Sequence, residues 1–144
     1  MFRIPVPVVL LVTALLACGC TGNSPSAPTP DSAPFSSTDI IVGTGAEATN
    51  GKTLTVHYTL WLYSASAADH KGTQVQTSVG GTPFPFVLGT RAVIAGWDQG
   101  VPGMRVGGRR QLVIPPSLAY GSTERQGIPA NSTLVFDIDL LNVQ

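Results

Sequence analysis

The chain has two cysteines, Cys18 and Cys20, and none after them. No disulfide or cysteine-ligated metal can therefore support whatever folds downstream. Charge is scarce too: 11% of residues are Asp, Glu, Lys or Arg, and the formal net charge is zero. A nucleic-acid surface calls for a basic excess, so no nucleic-acid partner is expected. Aromatic residues make up only 7% of the chain. A phosphate-cradling glycine motif is lacking, since Gly43-Thr44-Gly45 leads to a turn and not to a helix. His70 beside Asp69 is weak evidence for a metal, and no metal or cofactor is expected. What the chain has in quantity is glycine and proline, 16 and 12 residues, which points to a turn-rich, mostly β domain.

The single long apolar run sits at the N-terminus. Arg3 precedes Val8 to Leu16, interrupted only by Thr13, a run too short to span a bilayer comfortably. Leu15-Leu16-Ala17-Cys18 resembles a bacterial lipobox, so residues 1–17 read as a lipoprotein signal peptide and Cys18 as the lipidated residue. Cys20 is a second candidate, and an ordinary secretory signal is the alternative. Residues 18–38 are mainly Ser, Thr, Asn, Gly, Ala and Pro, with Asp31 the one charge and Phe35 the one aromatic. Pro25, Pro28, Pro30 and Pro34 favour an extended tether. The expected location is the bacterial cell envelope, lipid-anchored on the periplasmic or outer-surface side. The remaining residues, 39–144, suffice for one domain. Nothing in them points to a dimer face, so a monomer is expected.

Within 39–144, hydrophobic periodicity sets out the elements. Ile40-Ile41-Val42 reads as a short first strand. Leu54, Val56 and Tyr58 alternate with Thr53, Thr55 and His57, the period of a half-buried strand. Residues 62–73 read as a loop, followed by a strand at Gln74 to Ser78. Phe84 to Leu88 is a strand that Pro85 confines to an edge or bulge. Ala92 to Gly100 suits a short helix closed by Gly100 and Pro102. Arg109 to Ile114 is a strand stopped by Pro115-Pro116, and residues 117–130 form an irregular loop. In Thr133 to Asn142, Leu134, Phe136, Ile138 and Leu140 share one face. Asp137 and Asp139 share the other and read as solvated, as does His57. The sum is an α+β domain: a twisted antiparallel sheet of five to six strands wrapped on one short helix.

Val93-Ile94-Ala95-Gly96-Trp97 puts a tryptophan at the foot of that helix, flanked by aliphatics. With Tyr58 and Leu118-Ala119-Tyr120-Gly121 it outlines an apolar, aromatic cup with almost no charge in reach. Such a cup suits an uncharged apolar ring such as proline. It does not suit hydrolysis, which needs a nucleophile and a base. Arg105, Arg109 and Arg110 form at most a small basic patch.

Six stretches then carry a resemblance. Val56-His57-Tyr58-Thr59, Pro83-Phe84-Pro85-Phe86, Val93-Ile94-Ala95-Gly96-Trp97, Val106-Gly107-Gly108-Arg109-Arg110, Leu118-Ala119-Tyr120-Gly121 and Thr133-Leu134-Val135-Phe136-Asp137 stand in the order and spacing of FKBP-type peptidyl-prolyl cis–trans isomerases. The resemblance covers essentially all of 39–144. It implies the FKBP-like half-barrel fold and rotamase activity on proline-containing polypeptides, with weak macrolide binding. It also implies roles. Tyr58 and Phe84 would wall the cup, and Trp97 would floor it. Val93 and Ile94 would stand at the helix entrance, the Ile94 N–H holding a substrate carbonyl. The Tyr120 hydroxyl would reach over the rim, and Ile128 and Phe136 would complete the lining.

Three places depart from the family. Val75-Gln76 replaces a usual Phe-Asp, and the arginine that pairs with that aspartate is also missing near Gly80-Gly81. Losing both charges together avoids an unpartnered buried charge, and Val75 should widen the cup. Arg125 lies near where some members carry a loop histidine. The loop 62–73 is longer than in the smallest members. Val75-Gln76 keeps a second reading open: a non-catalytic module, chaperone or adhesin, that binds proline segments. A plain spacer would leave Trp97 and Tyr120 unexplained.

Overall fold

The computed structural model describes residues 31–144. The signal-peptide and Cys18 readings fall on residues outside that range. The described chain forms β1 (Ser36–Ile41), β2 (Thr53–Tyr63), β3 (Lys71–Thr77), β4 (Phe84–Val87), α1 (Ala95–Gly100), β5 (Arg109–Ile114) and β6 (Leu134–Val143). A turn of 3-10 helix, Pro116–Leu118, follows β5. The strands make one six-stranded sheet in the order β1-β5-β6-β2-β3, with β4 also on β2. Every pairing is antiparallel.

Alternation builds the core. Leu54, Val56 and Leu60 of β2 are buried, with Leu112 and Ile114 of β5 and Leu134, Phe136, Ile138 and Leu140 of β6. The long β2–β6 ladder runs from Leu54 opposite Val143 to Leu62 opposite Leu134. On the free edge of β2, β4 takes Thr53–Val56 and β3 takes the other half, Thr59–Tyr63. Pro85 lies opposite Thr55 in β4, whose one partner is β2. Its missing N–H therefore costs no inner ladder bond.

The helix lies close against β5 because it presents glycine there. A Cβ on Gly96 would sit 2.5 Å from Ile114 Cγ2, and one on Gly100 would sit 2.6 Å from Leu112 Cδ2. Arg110 then ties three elements together. Its Nη1 donates to the carbonyls of Gly100 and Pro102 at 2.7 and 3.0 Å, just past the helix end. Its Nε and Nη2 grip the Asp39 carboxylate of β1 at 2.6 and 3.0 Å.

Several boundaries differ from the sequence expectations. The first strand begins at Ser36, inside the stretch assigned to the tether, and ends at Ile41. Phe35 packs on the core, and Asp31 accepts the Ala65 N–H at 2.7 Å. Pairing with β5 supplied what the polar sequence of Ser36 to Thr38 could not signal. The expected loop 62–73 shrinks to residues 64–70, because β2 and β3 extend into it. The helix starts at Ala95 and not at Ala92: Ile94 is extended (φ −60°, ψ 150°) and Arg91 is left-handed (φ 60°).

The polar outer face is also more organised than expected. Asp139 accepts two bonds from Arg109, at 2.7 and 3.0 Å, and Asp137 pairs with Lys71 at 2.7 Å. Arg105 meets Glu47 at 2.9 Å. With Arg110 on Asp39, each arginine of the supposed basic patch is neutralised by its own carboxylate. His57 is half-buried, its Nδ1 3.1 Å from Ser78 Oγ.

Candidate active site

Trp97 stands at the centre of the site. It is 3% exposed and sits in the first turn of α1. Four rings approach it: Phe86, Tyr58, Phe136 and Phe84, at centroid distances of 5.3, 5.4, 5.4 and 6.1 Å. Interplanar angles of 61° to 84° make all four contacts edge-to-face. That geometry sets the positive edge of one ring against the negative face of the next. The indole is therefore held rigidly by three strands. Its Nε1–H is buried without a hydrogen-bond partner among the described residues.

Around this floor lies a cavity of about 420 Å³. Tyr58, Gln76, Phe84, Val93, Ile94, Tyr120 and Phe136 line it with Trp97. Val75 and Ile128 do not. They line an adjoining cavity of about 440 Å³, reached past Gln76, Tyr120 and Arg125, which border both. The expected widening at Val75 thus takes the form of a side extension and not a broader floor. Sequence reasoning missed Leu60, Arg91 and Ala92 as lining residues. Leu60 was findable, because it continues the alternation of Leu54, Val56 and Tyr58. Arg91 carried no signal of its own.

Local structure explains the placement of the entrance. The Asp98 carboxylate accepts the backbone N–H groups of Gly89 and Arg91, at 2.9 and 3.1 Å, which folds the turn before the helix back onto it. Ile94 precedes α1, and its carbonyl accepts the Trp97 N–H at 2.9 Å. Nothing among the described residues accepts the Ile94 N–H itself. On the opposite rim, Gly121 takes φ 59° and its N–H bonds to the Pro116 carbonyl, turning the chain beneath Tyr120. The Arg125 guanidinium lies 5.3 Å from the Tyr120 ring centroid, within cation–π range.

Electrostatics are set by burial. The Tyr58 hydroxyl is pushed above its ordinary value, chiefly by desolvation and secondarily by Tyr120. The Tyr58 phenol therefore remains a protonated donor at neutral pH. Ser78 Oγ accepts the Tyr58 backbone N–H at 2.9 Å and steadies the strand behind it. Among the described residues no group of three His, Cys, Asp or Glu side chains is placed to hold a metal ion. No nucleophile–base pair lines the cavity either. The site is equipped to seat an apolar, ring-bearing segment and offer it backbone and hydroxyl donors.

A half-open antiparallel sheet closed by a short helix, with an indole floor, defines a module whose cup fits an uncharged apolar ring. Residues 45–141 match the family model described as FKBP-type peptidyl-prolyl cis-trans isomerase. The chain belongs to that family. It is 42% identical over 106 residues to the FK506-binding protein of Neisseria meningitidis serogroup A, covering 73% of this chain and 92% of that one. It is 47% identical over 106 residues to FK506-binding protein 4 of Neurospora crassa, covering 74% of this chain but 21% of that one. The chain thus spans about a fifth of that fungal relative's length. Among solved structures, AtFKBP13 superposes with a TM-score of 0.64 at 35% identity, over 76% of this chain and 93% of that one.

Proposed function

We propose that this chain is a working peptidyl-prolyl cis–trans isomerase for extracytoplasmic polypeptides, tethered to a bacterial cell envelope through Cys18. The observation that carries the activity is the Trp97-floored cup with the unengaged Ile94 N–H at its entrance. Envelope anchoring rests on the N-terminal sequence alone. Among the described residues no helix is long and apolar enough to cross a membrane.

Rotation about an X–Pro bond faces a barrier of roughly 18–20 kcal/mol and takes tens of seconds unaided. Amide resonance is the barrier. In the twisted state the C–N bond loses double-bond character and the carbonyl loses polarity. An apolar, aromatic cup therefore destabilises the planar amide more than the twisted one. Seating the proline ring on Trp97 while Ile94 N–H holds a substrate carbonyl adds interactions that favour the twisted geometry. Each tenfold in rate needs about 1.4 kcal/mol of such difference. No covalent bond is made or broken, so neither nucleophile nor cofactor enters.

Isomerisation of an Xaa-Pro-Phe peptide by the purified chain tests this, alongside Tyr120→Phe. Concentration-dependent acceleration that the variant weakens is the expected result. A folded chain whose Trp97 fluorescence responds to proline peptides without any acceleration would replace it with the binding-module reading. Gln76 in the cavity wall is the observation that favours that second reading. A FK506-type macrolide is expected to bind the same cup weakly, because Val75 leaves the adjoining extension open.

A further inference from the structure

Arginine is treated in two ways in this molecule. Arg105, Arg109 and Arg110 each bond a carboxylate, at 2.9, 2.7 and 2.6 Å. The guanidinium groups of Arg91 and Arg125 bond none among the described residues, and both residues are exposed at the wall of the cup. No aspartate or glutamate lines either the cup or its extension. The Asp98 carboxylate takes the backbone N–H groups of Gly89 and Arg91 and forms no salt bridge with the Arg91 guanidinium. Glu124, next to Arg125 in sequence, is exposed and pairs with neither arginine. A chain of zero net charge thus places two guanidinium groups without a salt-bridge partner at the wall of its aromatic cup.

The placement is held. Arg91 is fixed by Asp98 through its backbone and sits in a left-handed conformation at φ 60°. Arg125 lies across Tyr120, and a short bridge pairs its segment with Ile128, the N–H of each bonding the other's carbonyl at 2.9 Å. Two low-dielectric walls around an open mouth focus such a field on whatever enters.

Resting on the isomerase reading above, we propose that Arg91 and Arg125 select X–Pro segments that carry an acidic side chain adjacent to the proline. A carboxylate on the residue before or after the ring meets a guanidinium at the rim while the ring reaches Trp97. Arginine suits this role because its planar fork binds carboxylates in two places at once.

The test compares two isosteric peptide pairs on the purified full chain: Glu against Gln directly before proline, and Glu against Gln directly after it. At low ionic strength the Glu peptide of at least one pair is expected to show roughly five- to tenfold higher kcat/KM, as one exposed charge pair warrants. The preference should fade toward unity at about 1 M salt, where the Debye length is about 3 Å. Arg91→Gln with Arg125→Gln should collapse the Glu/Gln ratio. Arg125→Glu should shift preference toward a Lys-bearing peptide, a gain that an unfolded variant cannot show. Equal rates within both pairs, a Gln preference, or a Glu preference that persists at high salt would overturn the inference while leaving the isomerase intact. No acceleration of any peptide would overturn the isomerase reading itself and this inference with it.

Discussion

The outer face of the sheet and the cup on its other side use the same residue types to opposite ends. On the outer face every acidic residue of β6 has a cation: Asp137 takes Lys71 and Asp139 takes Arg109. Around the cup, the guanidinium groups of Arg91 and Arg125 have no salt-bridge partner, and Gln76 faces the cavity where the family usually has an aspartate. Aromatics follow the same division. Trp61, on the outer side, is covered by Lys71 at 4.6 Å from its ring. Trp97 is surrounded by rings and left with an open cavity above it. One face satisfies itself, whereas the other leaves donors, ring faces and two guanidinium groups unengaged.

Mutations can break that contrast, starting with the largest effect. Trp97→Ala should cost about 3–5 kcal/mol, the range for a large buried aromatic, and reduce peptide isomerisation to the uncatalysed rate. Chemical denaturation and a rate assay on the remaining folded protein separate the two losses. Arg110→Met comes next. It strips the carbonyls of Gly100 and Pro102 and the Asp39 carboxylate of their donor, and should cost about 1–3 kcal/mol. Because Arg110 lies outside the cup, kcat/KM per folded molecule should hold steady; a tenfold fall would mean the helix end and the cup are coupled.

Tyr120→Phe is the converse case. Turnover should drop roughly tenfold, which corresponds to about 1.4 kcal/mol, with the thermal midpoint unmoved. An unchanged rate would remove the hydroxyl from the mechanism. Asp139→Asn, on the outer face, should cost under about 1 kcal/mol, since Arg109 stays well exposed and water screens the pair.

Smallest are the effects of pH. The hydrogen bond from Arg110 holds the Asp39 carboxyl below its ordinary 3.8. The folded state therefore binds that proton less readily than the unfolded chain does. Its stabilisation is present above about pH 4 and is lost as pH falls through the lowered value. Tyr58 titrates the other way. With its folded value raised above 10.0, its contribution is complete below that pH and disappears as pH climbs toward the raised value. Urea midpoints across pH should decline at both ends. Asp39→Asn should flatten the acid limb and Tyr58→Phe the alkaline one; a variant curve parallel to the parent would deny that residue its part.

Much of the fold was legible because burial imposes a period. Leu54-Val56-Tyr58 and Leu134-Phe136-Ile138-Leu140 alternate, so β2 and β6 could be read directly, and Pro85 marked an edge strand by its missing donor. The cup was legible in its rings and in Ile94. Less legible was anything decided by pairing at a distance. Ser36 to Thr38 is polar and joins the sheet because β5 offers it a ladder. Arg109 and Asp139 are thirty residues apart, and nothing local marks them as partners.

By itself the sequence determined the α+β class, the strand periods and the aromatic inventory. These follow from residue type and spacing along one chain. Only the tertiary structure decided which charges are spent and which are free. Lys71, Arg105, Arg109 and Arg110 look no different in sequence from Arg91 and Arg125. The difference is whether the fold brings a carboxylate within hydrogen-bond range, and that depends on strand register and on the turn that Asp98 holds. The structure likewise decided that Val75 and Ile128 open a side extension of the cup, because cavity shape belongs to the packed side chains of several elements at once.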